Sequence, residues 1–307
     1  MSLLSWNCRR LGNCRTIRAL QKVINKQDPN IVFLIETKFG LDWMLKVRDW
    51  CKYKNGLIVP SRGSSGGLAL FWKKEIRLDI QTYSHSHIDG GDGIGWWHLT
   101  EFYGEPDTSK RWESWQKLNY LHGTSSLLWL AIEDFNEITS MAEKEGGSIR
   151  TRHQMKYFVD TINCCGLKEV RFTGPLFTWL YQKEDGSQIR ERLDRALTTV
   201  EWFHLFPMAK LIHLSSSASD HSPLILQLFA KQRKKRFGRV FRFESMWLKD
   251  PRCETTVEEA WDKGLYGGSG DVLNRCLESC RARLEVWNGS EFGNVGKTVV
   301  NLQRKLE

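Results

Sequence analysis

The chain has 307 residues, of which 41% are hydrophobic and 14 are Trp, and its 45 Lys and Arg against 36 Asp and Glu give a net charge of +9. This composition excludes general disorder, and no apolar run is long enough to span a membrane. The start, MSLLSWNCRR, lacks the apolar stretch of a signal peptide, and the eight Cys have no metal-site spacing. We therefore expect an intracellular protein of a reducing compartment, nuclear or cytoplasmic and not secreted, whose basic surface attracts polyanions.

Short runs typical of β-strands recur through the first three quarters of the chain. They span residues 3–7, 31–35, 57–60, 67–72, 97–103, 127–132, 176–179 and 224–228. Apolar residues at helical spacing predict helices between them, at residues 15–25 and 151–164. Strands interleaved with helices indicate a mixed α/β sandwich.

The composition changes near residue 230, where KQRKKRFGRVFR (residues 231–242) holds seven basic residues and no acid. We predict a domain at residues 1–230, followed at 231–307 by a basic linker and a helical extension. Helical spacing predicts helices at 253–261, 272–287 and 298–307. The run at 231–236 has two interpretations, a solvated linker or a segment that contacts DNA phosphates or directs the protein to the nucleus.

Polar residues stand where several predicted strands end, which is where α/β proteins place their sites. They are Asn7, Glu36, Asp134 with Asn136, and the pair Asp220 and His221 just before the last strand. Each residue alone would more often be a solvated loop acid, a cap or a turn residue. As a set, they offer oxygen ligands for a hard divalent cation. They also offer groups that activate water or neutralise the negative charge that grows on a phosphodiester as it reacts.

Motifs in a specific order carry a resemblance to a known family. They are SWNCRRLG, LIETK, GGLALFW, LTEFYGEP, EDFNEI, FTW, ERLDRAL and SDHSPL, between residues 5 and 224. In this order the chain resembles the endonuclease/exonuclease/phosphatase superfamily, and more closely the apurinic-type endonuclease of plant LINE-type non-LTR retrotransposons. The resemblance covers about residues 1–230 and implies a four-layer α/β sandwich, in which two mixed β-sheets are flanked by helices.

The tail also resembles that element, because FRFESMW at residues 241–247 is similar to the segment that links the endonuclease to its reverse transcriptase. We therefore expect the helical C-terminal extension to be the truncated start of that connection. The polymerase itself is absent from this sequence.

The resemblance implies a metal site and a DNA substrate, and the lack of a long apolar run predicts no role at a membrane. Glu36 would be the principal ligand of Mg²⁺, or of Mn²⁺ in its place, with Asn7 beside it and Asp220 contributing to the metal environment. Bound metal would assist hydrolysis of a phosphodiester bond, so the protein is expected to be a metal-dependent endonuclease that nicks DNA.

The resemblance also implies the roles of the other site residues. Asp134 would orient or activate the attacking water, and Asn136 would position that water and the phosphate. Tyr103 would donate a hydrogen bond to a phosphate oxygen, and Thr178 would support the phosphate site. The last pair is His221, which would stabilise the transition state or act as the base, and Asp194, which would orient it.

Three positions depart from the family pattern, because Arg10, Glu101 and Glu133 stand where the related elements usually have Gly. Glu133 adds a side chain and a charge beside Asp134, which would misplace the metal or raise the pKa of Asp134. The expected nuclease is therefore impaired if these changes disturb its site.

Two other functions remain open. One is a catalytically inactive form of the same fold, either a relic of the element or a domesticated nucleic-acid-binding module. The other is a small-molecule or lipid phosphatase of the same superfamily, which the retrotransposon-like tail makes a weaker fit.

Overall fold

The computed structural model describes residues 1–63, 65–91, 93, 97–229, 243–266 and 272–288. The chain divides into two compact units, Met1–Lys231 and Gln232–Glu307. The basic run predicted to be a linker or a DNA contact, at 231–236, and the helix predicted at 298–307 lie outside the described residues.

The first unit contains sixteen strands and five α-helices among the described residues. The strands are β1 Ser2–Asn7, β2 Ile31–Ile35, β3 Asn55–Val59, β4 Leu68–Trp72, β5 Asp79–Ser84, β6 His87–Gly91, β7 Trp97–Tyr103, β8 Leu128–Asp134, β9 Lys144–Glu145, β10 Leu167–Glu169, β11 Phe172–Thr173, β12 Trp179–Gln182, β13 Gln188–Glu191, β14 Asp194–Thr199, β15 Lys210–His213 and β16 Leu224–Gln227. The helices are α1 Cys14–Gln27, α2 Leu41–Trp50, α3 Arg111–Thr124, α4 Arg152–Cys164 and α5 Val200–Leu205.

The strands form two large mixed sheets and one small sheet. The first sheet has the order β11-β15-β16-β1-β2-β4-β3, and the second has the order β10-β14-β8-β7-β6-β5. Strands β1 and β2 run parallel, as do β7 and β8, whereas their other neighbours are antiparallel. The small sheet has the order β12-β13-β9, and a single β-bridge joins Trp179 of its hairpin to His221.

Three apolar layers hold the first unit together. The largest lies between the two large sheets, where Phe33 and Leu70 of one sheet face Leu99 and Ile132 of the other in one buried cluster. A second cluster lies beneath α1 and α2, and a third lies beneath α3 and α4. Helices therefore cover the outer face of each sheet, and the predicted four-layer α/β sandwich is confirmed.

Local sequence explains where the predicted helices begin. The side chain of Asn13 accepts the backbone N–H of Thr16 and starts α1, one residue before the prediction. Thr151 and Gln154 form a reciprocal capping box at the start of α4. These caps satisfy backbone donors that have no partner within the helix.

Most predicted strands have the observed position, but the strand predicted at 176–179 was wrong. Strand β12 instead begins at Trp179, because Thr178 bonds two separate segments: its N–H donates to Glu191 and its C=O accepts from Ser222. The β5–β6 hairpin was missed because its sequence is too polar to produce an apolar strand pattern.

The second unit contains a short 3₁₀ turn, Ser245–Lys249, and two helices, α6 Pro251–Leu265 and α7 Val272–Trp287. The helices pack together around a small core in which Trp247 meets Trp287 edge to face. The helix predicted at 272–287 therefore has the observed bounds. Within the described part of the chain, no helix combines the length and the apolar character needed to cross a membrane.

Candidate active site

The strand order brings the predicted polar residues to one end of the sandwich. In the first sheet, Asn7 at the end of β1 is the register partner of Ile35, and Glu36 follows directly. In the second sheet, Tyr103 and Asp134 are register partners at the ends of the parallel strands β7 and β8. Asp194 faces Asp134 from the antiparallel strand β14.

Four of these side chains form one buried cluster. The amide of Asn7 donates to Asp134 over 3.0 Å, and its nitrogen lies 3.5 Å from Nε2 of His221. The other imidazole nitrogen, Nδ1, lies 3.1 Å from both carboxylate oxygens of Asp194. Since Nε2 is also 3.8 Å from Asp134, the imidazole lies between two carboxylates.

The burial of this cluster changes its protonation. Burial alone would lower the pKa of His221, but the carboxylates of Asp194 and Asp134 outweigh it and raise the pKa to about 9. Burial raises the pKa of Asp134 to about 6, although the neighbouring imidazolium opposes the shift. At neutral pH, His221 therefore holds a proton and Asp134 is mostly a carboxylate.

Two further predicted residues hold the cluster in place through backbone contacts. The hydroxyl oxygen of Thr178 accepts the backbone N–H groups of Leu193 and Asp194, at 3.1 and 3.0 Å. The side-chain amide of Asn136 donates to the carbonyl of Gly104 over 2.7 Å, and its N–H donates to the Asp134 carboxylate. In this structure Thr178 therefore positions Asp194, and Asn136 positions Asp134.

Glu36 and Tyr103 form a second, adjoining group. The Tyr103 hydroxyl and the Gly66 N–H both donate to Oε1 of Glu36, at 3.0 and 3.1 Å, and the ammonium of Lys38 lies 3.0 Å from Oε2. Burial, followed by the charge of Glu36, raises the pKa of Tyr103, so its hydroxyl remains a donor. Both residues line a cavity of about 270 Å³.

Asp220 is engaged by neighbours other than the central cluster. Its carboxylate forms an ion pair with Arg9 and accepts a hydrogen bond from the indole N–H of Trp179 over 3.0 Å. Ser219 also contacts it at 3.3 Å. The structure thus places Asp220 at the edge of the site, where it anchors Arg9 and Trp179.

The three replaced Gly positions have different surroundings. Arg10 is exposed, whereas Glu101 and Glu133 are completely buried. Glu133 has a φ of 111°, which L side chains rarely adopt, and its Oε1 accepts the backbone N–H of Asn7 over 2.9 Å. Burial, followed by the charge of Asp194, raises its pKa well above the usual value.

Glu101 lies between the two sheets, with the Ser5 hydroxyl 3.5 Å from its Oε2. Among the described residues, Oε1 of Glu101 and Oε2 of Glu133 have no hydrogen-bond partner. Both positions therefore carry a polar group into a place where a Gly would add none.

The site also has a geometry that could hold a metal ion. One ligand atom from each of Asp134, Asp194 and His221 lies within 4.8 Å of the others. The sequence instead pointed to Glu36, Asn7 and Asp220 as ligands, which carry the oxygen donors that a hard cation prefers.

Some positioning residues were missed at the sequence level. Gly104 matters because its N–H donates to the carbonyl of Asp134 and because a Cβ there would lie 2.3 Å from the carbonyl oxygen of Phe135. Trp179 contacts Asp220 and lies beside His221. Gly104 belongs to the motif LTEFYGEP and Trp179 to the motif FTW. These motif matches are the sequence feature that could have pointed to them.

Three solved nuclease structures have a similar fold. A 3′-5′ exonuclease from Neisseria meningitidis has a TM-score of 0.58 at 14% identity, covering 75% of this chain and 100% of its own. An AP endonuclease from Archaeoglobus fulgidus has a TM-score of 0.57 at 13% identity, with coverages of 74% and 98%. The endonuclease domain of TRAS1, a telomere-specific non-LTR retrotransposon, has a TM-score of 0.51 at 14% identity, with coverages of 75% and 99%.

No curated protein matches the sequence of this chain. At the identities of the solved structures, their likeness establishes the fold alone. Residues 4–221 match the Endonuclease/Exonuclease/phosphatase family. Because this match spans more than half of the chain and includes every proposed site residue, the chain belongs to the endonuclease/exonuclease/phosphatase family.

Proposed function

We propose that the protein is a Mg²⁺-dependent phosphodiesterase that nicks DNA, derived from the endonuclease of a non-LTR retrotransposon. One observation carries the proposal: Asn7, Asp134, Asp194 and His221 converge from four segments into one buried, hydrogen-bonded cluster. We assign the activity to residues 1–230 and regard residues 231–307 as the linker and the start of a connection to a polymerase.

The protonation of the cluster suits hydrolysis of a phosphodiester. Asp134, with its pKa of about 6, is a carboxylate at neutral pH that can orient water and accept its proton. His221 keeps its proton because of Asp194, so it donates to a phosphate oxygen as negative charge grows there. Of the two roles that the resemblance left open for His221, stabilisation of the transition state is the better supported.

The oxygen donors at the site fit a hard divalent cation. Glu36 would hold it together with the amide oxygen of Asn7, while Asp220 would add negative charge nearby. The carboxylate of Glu36 is 13% exposed and lines the cavity, which leaves it reachable from solution. When bound, Mg²⁺ would neutralise charge on the reacting phosphate. The cation would compete with Lys38 for the Glu36 carboxylate.

DNA is the proposed substrate because the chain is basic and because its fold is similar to that of nucleases. The net charge of +9 favours a polyanion. The three similar structures named above are a 3′-5′ exonuclease, an AP endonuclease and a retrotransposon endonuclease. The retrotransposon origin rests on this similarity together with the sequence motifs.

A second candidate is an inactive nucleic-acid-binding form of the same fold, and Glu133 is the observation that favours it. Its carboxylate is buried beside Asp134 and contacts Asn7 directly. The added side chain would disturb the position of Asn7, and on losing its proton it would draw a metal ion away from Glu36.

The test is nicking of supercoiled plasmid by the full chain, with Mg²⁺ and with EDTA. We compare the parent with Asp134→Asn, His221→Ala and Glu133→Gly. The control is Asp160→Asn, because Asp160 is an exposed acid of α4 that pairs with Lys156. We expect nicking that requires Mg²⁺ and falls at least about 100-fold in the two site variants but not in the control.

Glu133→Gly separates the two candidates. A silent parent that becomes active after this change is a nuclease disabled at Glu133. Silence of both folded proteins, combined with binding to DNA, would favour the binding module. Nicking that persists in EDTA or in Asp134→Asn would contradict the proposed mechanism.

A further inference from the structure

The hairpin of β12 and β13 places aromatic side chains beside the catalytic cluster. Trp179 begins β12, and Tyr181 lies two residues further along the same strand. Side chains two residues apart project from the same face of a strand. The rings of Trp179 and Tyr181 are stacked, with centroids 6.1 Å apart and planes inclined by 6°.

The catalytic imidazole lies next to the inner ring of this stack, tilted against it. The centroid of the Trp179 indole lies 6.5 Å from that of His221, with planes inclined by 53°. Tyr181 forms the outer end and is 46% exposed, whereas His221 is buried. We call this row of three rings the aromatic ladder. It leads from the position of the proposed phosphate chemistry to solvent.

The main chain fixes the ladder to the catalytic loop. The N–H of Leu180 donates to the carbonyl of Asp220 over 2.9 Å, and the N–H of Ser222 donates to the carbonyl of Thr178 over 2.7 Å. The indole N–H of Trp179 adds a bond to the Asp220 carboxylate. The ring stack is therefore held rigidly with respect to His221, so a group bound on Tyr181 would have a defined position relative to the reacting phosphate.

A basic side chain lies close to the ladder. Arg9, whose side chain is 54% exposed, pairs with the same Asp220 carboxylate that holds Trp179. Exposed aromatic rings interleaved with cations are typical of surfaces that bind single-stranded nucleic acid, in which rings stack on bases and cations meet phosphates.

We infer that the aromatic ladder binds an unpaired nucleobase of the nucleotide next to the cleaved phosphate, which stacks on Tyr181. The inference rests on the proposed function, because it identifies the feature of DNA that this site recognises. Stacking requires an open base face, so the ladder favours DNA with an unpaired base beside the cleaved bond. It sets no base identity, since every base offers a stacking face.

The test measures binding of the full chain in EDTA, where no hydrolysis occurs. The probes are a short deoxyadenylate oligomer and a tetrahydrofuran oligomer of the same length, which has the same phosphates but no bases. We compare the parent with Tyr181→Phe and Tyr181→Ala. The control is Tyr157→Ala on α4, where Tyr157 is 52% exposed and contacts His153.

We expect Tyr181→Ala to weaken binding of the deoxyadenylate oligomer by about 5- to 150-fold, the range measured for loss of one base stack. Its affinity for the tetrahydrofuran oligomer should stay unchanged, and Tyr181→Phe and Tyr157→Ala should bind both probes like the parent. Equal weakening for both probes, or no weakening for either, would overturn the inference.

The outcome is independent of whether the protein cuts DNA, because binding is measured without turnover. A parent that nicks plasmid but shows no base-dependent effect of Tyr181→Ala would retain the proposed function and lose this inference. A parent that never nicks, yet loses base-dependent binding in Tyr181→Ala, would lose the proposed function and retain the ladder as a binding site.

Discussion

The Nδ1 atom of His221 lies 3.1 Å from both carboxylate oxygens of Asp194, in a pair that is buried at the end of the sandwich. A buried imidazolium is stable only with such a counter-ion, because burial by itself favours the neutral ring. The backbone N–H of Asp194 is in turn held by Thr178. The pair therefore sets both the direction and the charge of the imidazole that faces Asp134.

Asp194→Asn should lower the pKa of His221 from about 9, because the carboxylate that opposes burial is removed while the shape is kept. Nicking at neutral pH should fall at least about 100-fold if the imidazolium stabilises the transition state. The C2–H resonance of the imidazole, followed by NMR against pH, measures the pKa. An unchanged titration of His221 in the variant would refute this account of the pair.

The same pair contributes to stability over a defined pH range. The pKa of His221 is about 9 in the folded chain and 6.5 in its reference state, so its contribution is complete below pH 6.5 and is lost as the pH rises towards 9. Asp194→Asn should reduce that part of the pH dependence of the free energy of unfolding, measured with urea. The exposed Asp160→Asn provides the control.

Glu101→Gln should remove a second pH-dependent loss of stability. Burial, followed by the charge of Glu133, raises the pKa of Glu101 well above 4.5, so above that pH the unfolded chain releases a proton that the folded chain keeps. The stability of the parent therefore falls as the pH rises, and a Gln has no proton to release. Relative to the parent, the free energy of unfolding of the variant should rise by up to about 1.4 kcal/mol per pH unit above 4.5.

Urea unfolding of both proteins at several pH values between 5 and 7 checks this. Glu184→Gln, at an exposed position between β12 and β13, is the control. A constant difference in free energy between Glu101→Gln and the parent over this range would show that Glu101 is not held protonated in the fold.

The sequence indicated many residues of the candidate site because they follow apolar strands that end at the same edge of the fold. Asn7 and Glu36 end such runs, and parallel pairing of β1 and β2 places Glu36 one residue beyond the partner of Asn7. The position of Glu133 could not be predicted in this way. Alternation along β8 would direct Glu133 away from Asp134, but its φ of 111° turns the carboxylate to the N–H of Asn7.

The aromatic ladder could not be predicted from the sequence either, because it depends on which loop pairs with β12. Other Trp residues give no local signal of this kind, since Trp97 and Trp115 pack in the core and Trp112 is exposed on α3. Trp179 and Tyr181 lie at the site because backbone bonds join their strand to the Asp220–Ser222 loop. Such long-range pairing leaves no local pattern.

Glu133→Gly should stabilise the protein relative to Glu133→Ala. A residue with a Cβ at a φ of 111° costs about 1–3 kcal/mol in backbone strain, and Ala retains that strain while Gly does not. Both variants lose the acceptor for the Asn7 N–H, so their difference isolates the backbone. Urea unfolding measures it. Equal stability of the Ala and Gly variants would mean that the backbone at this position is unstrained.

Gly104→Ala should disturb the candidate active site through the backbone alone. The N–H of Gly104 donates to the carbonyl of Asp134 over 2.7 Å, and its carbonyl accepts the side-chain amide of Asn136 over 2.7 Å. An added Cβ would lie 2.3 Å from the carbonyl oxygen of Phe135 and 2.6 Å from its carbon, and a backbone cannot yield as a flexible side chain does. We expect a loss of about 1–3 kcal/mol in stability.

Nicking by Gly104→Ala should fall more than its loss of stability explains, because the segment that must move carries both Asp134 and Asn136. Gly123→Ala is the matched control, since a Cβ at that position in α3 meets nothing within 4 Å. In a helix, this change should raise stability by about 0.5–1 kcal/mol and leave nicking unchanged. Rates are compared at a temperature where urea unfolding shows all three proteins to be folded. Full nicking by a folded Gly104→Ala protein would show that the close approach of Gly104 to Phe135 does not position Asp134.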